Sequence, residues 1–281
     1  MTDGLVVIDK PPGWTSHDVV ARCRKIFGLK RVGHSGTLDP DATGVLLVGL
    51  GRLTRVLRYL TVLPKSYVGE IVLGTATSTL DAAGDVVATF DMSRITAADV
   101  ERAAATLVGD IEQIPPMVSA VKVGGRRLHE VARAGEEVER APRPVTVTRF
   151  DVRPAAEAGV YTAEVDCSSG TYVRTLAADV GTALGGGAHL RNLRRTAIGS
   201  FTLADATPLE AVVAESAIAP ASALRDYPSA VIDDDEVIAV SHGRTLTPRF
   251  EGPWRVLDAA GDLLAVYEGA AASVVLRPAA Q

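Results

Sequence analysis

An α+β fold with a small β-rich C-terminal domain is predicted for this 281-residue chain by three observations. Stretches such as Lys65-Ser66-Tyr67-Val68-Gly69-Glu70-Ile71-Val72-Leu73 alternate apolar and polar residues, as half-buried strands do. Others, such as Val173, Leu176, Ala177, Val180 and Leu184, repeat apolar residues at helical spacing. After about Pro220 the texture changes to short strands separated by Gly turns. The expected division is therefore a large domain over 1–225 and a small one over 226–281.

Each element follows from local signals. Leu5-Val6-Val7-Ile8 reads as a short buried strand ending at a rigid turn, Asp9-Lys10-Pro11-Pro12-Gly13. Ser16 is the expected N-cap of a helix that puts Val19, Val20, Cys23, Ile26 and Phe27 on one face, with Gly28 at its exit. Cys23 is then core. Leu53, Val56, Leu57 and Leu60 repeat the helical spacing, with Arg52, Arg55 and Arg58 pointing elsewhere and Pro64 beyond the end. The strand 65–73 is followed by a polar loop over 75–84, then by a helix from about Thr96 to Val108 with an acidic outer face. Residues 115–145 form a basic, Gly-hinged excursion bounded by prolines, with a strand and tight turn over 120–127 and a short helix from Arg127 to Arg133. A mobile flap and a plain hairpin both fit it. Val160–Val165 is a strand, a small-residue turn follows, and the helix beginning near Val173 offers its N-terminus to an anion. Gly185 to Arg195 is expected as a flexible entry carrying three arginines ahead of another strand. In the tail, Asp233-Asp234-Asp235-Glu236 caps a short helix, and Trp254–Leu257, Leu263–Tyr267 and Ser273–Leu276 are strands.

Composition narrows the class. The chain is 47% hydrophobic and 22% charged, and no apolar run reaches the ~18 residues of a membrane span. The N-terminus lacks the basic start and apolar stretch of a signal peptide. Cys23 and Cys167 lie far apart, and five scattered histidines show no metal-ligand spacing, so a reducing cytoplasm with no cofactor and no metal is the expectation. Nothing demands more than a monomer. A net charge of −5 argues against a general polyanion binder, but the charge is segregated. Residues 1–70 hold 10 Lys/Arg against 6 Asp/Glu and 117–150 hold 7 against 4, whereas 200–281 hold 5 against 12. A local basic patch suffices to hold phosphates, though a solvated face explains the charge equally well.

One stretch carries chemistry. Gly33-His34-Ser35-Gly36-Thr37-Leu38-Asp39-Pro40-Asp41-Ala42-Thr43-Gly44 sets a carboxylate, Asp39, between a Gly-rich approach and a proline, ahead of apolar Val45-Leu46-Leu47-Val48. Pro40 fixes its own φ and keeps Asp39 out of the helical region. Taken alone, this is also ordinary turn chemistry.

In order, the blocks Lys10-Pro11-Pro12-Gly13, Gly33 to Gly44, Lys65-Ser66-Tyr67-Val68-Gly69, Thr77-Ser78-Thr79-Leu80-Asp81, Pro115-Pro116 with Ser119-Ala120-Val121-Lys122, Ser168 to Arg174, and Gly187-Ala188-His189-Leu190 with Leu193-Arg194-Arg195 resemble the TruB-type tRNA pseudouridine synthases. Val118 and His129 stand where many relatives carry tyrosine. The resemblance implies the pseudouridine-synthase fold: a central mixed, largely antiparallel sheet flanked by helices, plus a PUA-like RNA-binding domain at the C-terminus. It implies isomerisation of uridine 55 in the T-loop of tRNA, with no cofactor. The C–N glycosidic bond breaks, the base turns over, and C5 joins the ribose. By resemblance Asp39 is the acid beside C1′, acting as nucleophile or as base toward a ribose proton. Tyr67 stacks on the extruded base, and Arg174 keeps Asp39 charged and oriented. Tyr172 and Leu193 line the pocket, and His34 holds the flipped loop open. Lys10, Lys122, Arg126, Arg127, Arg194 and Arg195 are the expected phosphate or loop contacts.

Two other readings remain at the level of sequence. Asp39-Pro40-Asp41-Ala42-Thr43 fits the D-x-D-x-T pattern of aspartate-based phosphotransferases, with Asp233-Asp234 as a Mg²⁺ site, although that pattern should end an apolar strand. A non-catalytic RNA-binding or tRNA-folding protein is the other.

Overall fold

The computed structural model describes residues 3–119, 122–123, 126–127 and 138–276. The chain forms two compact units, one of Met1–Asp39, Val45–Val62 and Gly199–Gln281, the other of Pro40–Gly44 and Leu63–Ile198. Its strands begin with β1 (Gly4–Lys10), β2 (Val32–His34), β3 (Thr43–Leu50), β4 (Lys65–Leu73), β5 (Thr75–Thr77) and β6 (Val86–Thr89). They continue with β7 (Gly109–Gln113), β8 (Lys122–Val123), β9 (Arg126–Arg127), β10 (Arg143–Pro154), β11 (Val160–Cys167) and β12 (Ala188–Ile198). The last are β13 (Phe201–Thr202), β14 (Thr207–Pro208), β15 (Ser229–Val231), β16 (Pro253–Leu257), β17 (Leu263–Glu268) and β18 (Ala271–Val275). The longer helices are α1 (Ser16–Phe27), α2 (Leu57–Thr61), α3 (Ala97–Ala105), α4 (Val173–Ala183) and α5 (Asp234–Ser241).

In the first unit β1 lies between β14, to which it is parallel, and β3, and β2 pairs antiparallel with β3. Helix α1 packs its Val19, Val20 and Cys23 onto Val6, Ile8, Leu46 and Val48 of this sheet. Burial pushes the Cys23 thiol up to about 11, which suits the core role read from its spacing. The N-cap is Thr15, one residue before the expected Ser16. Its hydroxyl accepts from Asp18 N (3.1 Å), and Asp18 returns the bond by accepting from Thr15 N (3.0 Å). Gly28, at φ 62°, ends the helix in the left-handed region.

The tail belongs to the same unit and has its own sheet, β15-β16-β17-β18, with a core of Ile232, Val240, Trp254, Val256, Leu264 and Tyr267. Helix α5 is capped by Asp233 against Glu236, as the acidic run suggests. The three arginines of segment 51–61, a 3₁₀ turn (Gly51–Val56) leading into α2, reach onto this tail. Arg52 donates to Leu276 O (2.8 Å), Arg55 to Val275 O (2.6 Å), and Arg58 to Ser273 Oγ, while Tyr59 OH donates to Glu268 (2.7 Å). Part of the positive charge in residues 1–70 thus engages the protein's own tail, with the three arginines still exposed.

In the second unit the strand order is β3-β12-β4-β11-β10-β7, where β3 contributes Thr43 and Gly44. All these pairs are antiparallel except β3 with β12. Helix α4 packs on β12 and α3 on β10. Helix α3 starts at a Thr96–Asp99 capping box and ends at Ala105, three residues short of the expected Val108. Two expectations change here, and one strand is new. Residues 75–77 are a strand paired with β6 rather than loop. The arginines of 191–195 lie inside a strand that begins at Ala188, not ahead of one. Strand β10, twelve residues long, had no sequence signal of its own. Strands β8 and β9 pair antiparallel within the stretch expected as strand and turn over 120–127, of which 120–121 and 124–125 lie outside the described residues. The helix expected from Arg127 to Arg133, with His129, lies outside the described residues beyond its first residue. The class is α+β: mixed, mostly antiparallel sheet with helices packed on it, and a small β-rich C-terminal region.

Candidate active site

The acid loop of the first unit is held at its backbone. Ser35 N donates to Leu47 O (3.0 Å), and Gly36 N donates to His34 Nδ1 (3.3 Å). His34 is the last residue of β2, and His17 from α1 meets it edge-on, ring centroids 5.3 Å apart. Leu38 is buried, and both of its main-chain polar groups bond to one side chain. Its N–H donates to Ser16 Oγ (2.9 Å), and the Ser16 hydroxyl donates to its carbonyl (3.2 Å). Asp39 follows, half-buried, on non-helical backbone before the exposed Pro40, as that proline dictates.

In the second unit Arg174 sits in the first turn of α4 and is only 4% exposed. Its guanidinium donates to Thr79 O (3.0 Å), Asp81 Oδ2 (3.2 Å) and Val118 O (3.0 Å), so it ties three of the sequence blocks together. The Val118 contact uses the main chain, which any residue at 118 supplies. Tyr172 is the N-cap of α4 but contributes no side-chain cap. Buried Gln113 instead holds the cap residue's own main chain: its Oε1 accepts from Tyr172 N (2.7 Å) and its Nε2 donates to Tyr172 O (3.1 Å). Gln113→Ala is expected to cost ~1–3 kcal/mol, because the Tyr172 N–H loses its partner, whereas the Tyr172 carbonyl keeps its helix bonds from Thr175 N and Leu176 N. Urea unfolding measures this, and a loss under ~0.5 kcal/mol, the range of an ordinary surface change, would dismiss the role.

Tyr67 lies on the buried side of β4 with Lys65 and Ile71, between Val165 of β11 and Arg195 of β12. Lys65 donates to Leu63 O (2.7 Å). Burial pulls its ammonium down to about 8; the neighbouring Arg195 cation lowers it further, and Cys167 opposes the shift. Since that value lies below the ordinary 10.5, the unfolded chain binds a proton between about pH 8 and 10.5 that the folded chain does not. Stability from this group therefore rises with pH across the window, by up to ~3 kcal/mol. The difference in unfolding free energy between wild type and Lys65→Met should climb over that range in urea titrations. A flat difference would refute the burial argument.

The remaining candidates divide by exposure. Lys10 and Arg195, expected among the phosphate contacts, are 0% and 1% exposed. The Lys10 ammonium donates to Pro11 O (2.9 Å) and Trp14 O (2.7 Å), which holds the Pro-Pro-Gly turn. Arg194 is half-buried on β12 and donates to Thr43 Oγ1 (3.2 Å). Leu193 would lie 3.5 Å from a Cβ at Gly69. Arg126 is exposed on β9, and Lys122 and Arg127 pair through their backbones. Sequence reasoning missed Gln113 and His17, and it gave Ser16 a different task. Gln113 had a faint signal, a polar residue on the inward side of a strand just before Pro115-Pro116.

The D-x-D-x-T pattern precedes β3 instead of ending a strand, and Asp233 is engaged as a helix cap. The family model for the N-terminal domain of TruB family pseudouridylate synthases matches residues 24–173, and that for the tRNA pseudouridylate synthase B C-terminal domain matches 174–237. The chain is 48% identical to tRNA pseudouridine synthase B of Rhodococcus jostii (strain RHA1), over 98% of this chain and 94% of that protein. It is 46% identical to the Mycobacteroides abscessus protein of the same name, over 98% and 97%. Among solved structures, a chain of a Cbf5-Nop10-Gar1 complex superposes with a TM-score of 0.76 at 28% identity, over 98% of this chain and 85% of that one.

Proposed function

This chain belongs to the TruB family of pseudouridylate synthases, and from that membership we propose that it converts uridine 55 in the T-loop of tRNA to pseudouridine. The observation that carries the reading is near-complete coverage at 46–48% identity by proteins named tRNA pseudouridine synthase B. Asp39 acts at the ribose, Tyr67 offers its face to the extruded base, and Arg174 is the guanidinium that keeps the reacting carboxylate charged. His34 keeps the displaced loop open, while Tyr172 and Leu193 line the base pocket. Arg194, Lys122, Arg126 and Arg127 contact phosphates. Lys10 and Arg195 drop out of that set, because their burial leaves no surface for a polyanion. Residues 226–281 serve as a PUA-like RNA-binding domain, appended to a catalytic domain over 1–225. The enzyme works as a monomer in the cytoplasm; no helix among the described residues is long and apolar enough to cross a membrane.

The balance of the reaction supports an acid and a stacking surface. One glycosidic C–N bond breaks, one C–C bond forms, the proton leaves C5, and the freed nitrogen takes one up. No electrons enter or leave. Incubating the protein with an unmodified T-arm stem-loop should yield one pseudouridine at the position of uridine 55, read by chemical labelling and mass. A product at another uridine, or none, would sink the specificity.

A further inference from the structure

We infer that Ser16 is a positioning residue for Asp39, acting through the main chain of Leu38. The inference rests on the reading that Asp39 is the reacting acid. Ser16 sits at the start of α1, where a serine ordinarily caps, but Thr15 already does so with Asp18 as its reciprocal partner. The Ser16 hydroxyl is left for another task. It is 1% exposed, and both of its bonds go to Leu38, accepting from N–H at 2.9 Å and donating to C=O at 3.2 Å.

That pair of bonds has a specific mechanical consequence. The Leu38 carbonyl belongs to the peptide that joins Leu38 to Asp39. Holding its oxygen, and Leu38's own N–H in the preceding peptide, fixes the peptide planes on both sides of Leu38. The second plane places the N and Cα of Asp39, leaving its φ as the torsion that aims Cβ. Pro40 restricts the same residue from its other side. Asp39 is thereby bracketed, by a hydroxyl before it and a ring after it. The Leu38 side chain, 4% exposed, already keeps the loop seated, so the hydroxyl contributes orientation beyond burial. A carboxylate that must reach a sugar carbon is sensitive to displacements of an ångström.

Ser16→Ala removes both bonds without altering the Asp39 side chain itself. We expect kcat on the T-arm stem-loop to fall ~10–100-fold, with KM within about threefold and Tm within a few degrees. Ser16→Thr keeps the hydroxyl and should hold kcat within about threefold of wild type. Asp39→Asn is measured alongside. If Asp39→Asn retains turnover, the premise has failed and Ser16 is not the cause. If Asp39→Asn is inactive while Ser16→Ala turns over at the wild-type rate, the positioning role is overturned. It is equally overturned if saturating substrate restores the Ala variant, or if a well-folded Thr variant shows the Ala rate. Should Ser16→Ala unfold at the assay temperature, the Thr variant decides alone: wild-type kcat supports the role, a folded protein with impaired kcat removes it.

Discussion

Asparagine at position 39 should abolish pseudouridine formation, lowering kcat at least ~10³-fold, about 4 kcal/mol of barrier. Affinity for tRNA should stay within a few-fold of wild type. The two outcomes separate because the loop is not held by the carboxylate alone: Ser35 N, Gly36 N and both polar groups of Leu38 have their own partners. Asparagine has nearly the shape of aspartate and keeps the constraint imposed by Pro40. What it lacks is the negative charge, and with it an oxygen basic or nucleophilic enough to react. Single-turnover assays with labelled stem-loop give the rate, and filter binding gives the affinity. Turnover retained within tenfold would rule out Asp39 as the reacting acid.

The second large effect is expected at a position that touches no substrate. Gly44 has φ +99°, and a Cβ built there would lie 2.1 Å from Arg195 O and 2.9 Å from Arg195 N. The obstacle is main chain in a paired strand, since Gly44 and Arg195 are register partners in β3 and β12. A side-chain neighbour could rotate away; this one cannot. Gly44→Ala should therefore cost ~3 kcal/mol or more, or ~6–12 °C in Tm. Gly13→Ala is the matched control, with φ +77° and nothing within 4 Å of the added carbon. It isolates the left-handed strain, ~1–2 kcal/mol. If calorimetry finds the two variants equal, the close approach of β12 has no energetic weight.

What could be read in advance follows from how local each signal is. Helix α1, strand β4 and the tail strands were legible because burial imposes a clean period on their residues. Strand β10 was not, since its pairing slips between Val147 and Arg149 and so breaks the alternation of Val145, Val147, Phe150 and Val152. Strand β12 hid behind its arginines and behind Asn192, which takes φ 54° where the register with β4 shifts. The acid loop was legible as a motif, because Gly frees the backbone and Pro restricts it whatever surrounds them. Its support was not. Ser16 lies 22 residues from Leu38 and Gln113 lies 59 from Tyr172, and both bonds end on main-chain atoms that leave no mark in a sequence.

The grip of segment 51–61 on the tail has the same character. Arg52 and Arg55 close on the carbonyls of Leu276 and Val275, acceptors that every amino acid carries. Residues along the last strand can therefore drift between species without loosening the joint, provided the strand stays where it is. Ser273 on that strand and Glu268 at the end of β17 answer Arg58 and Tyr59 with side chains, and there a change would be felt.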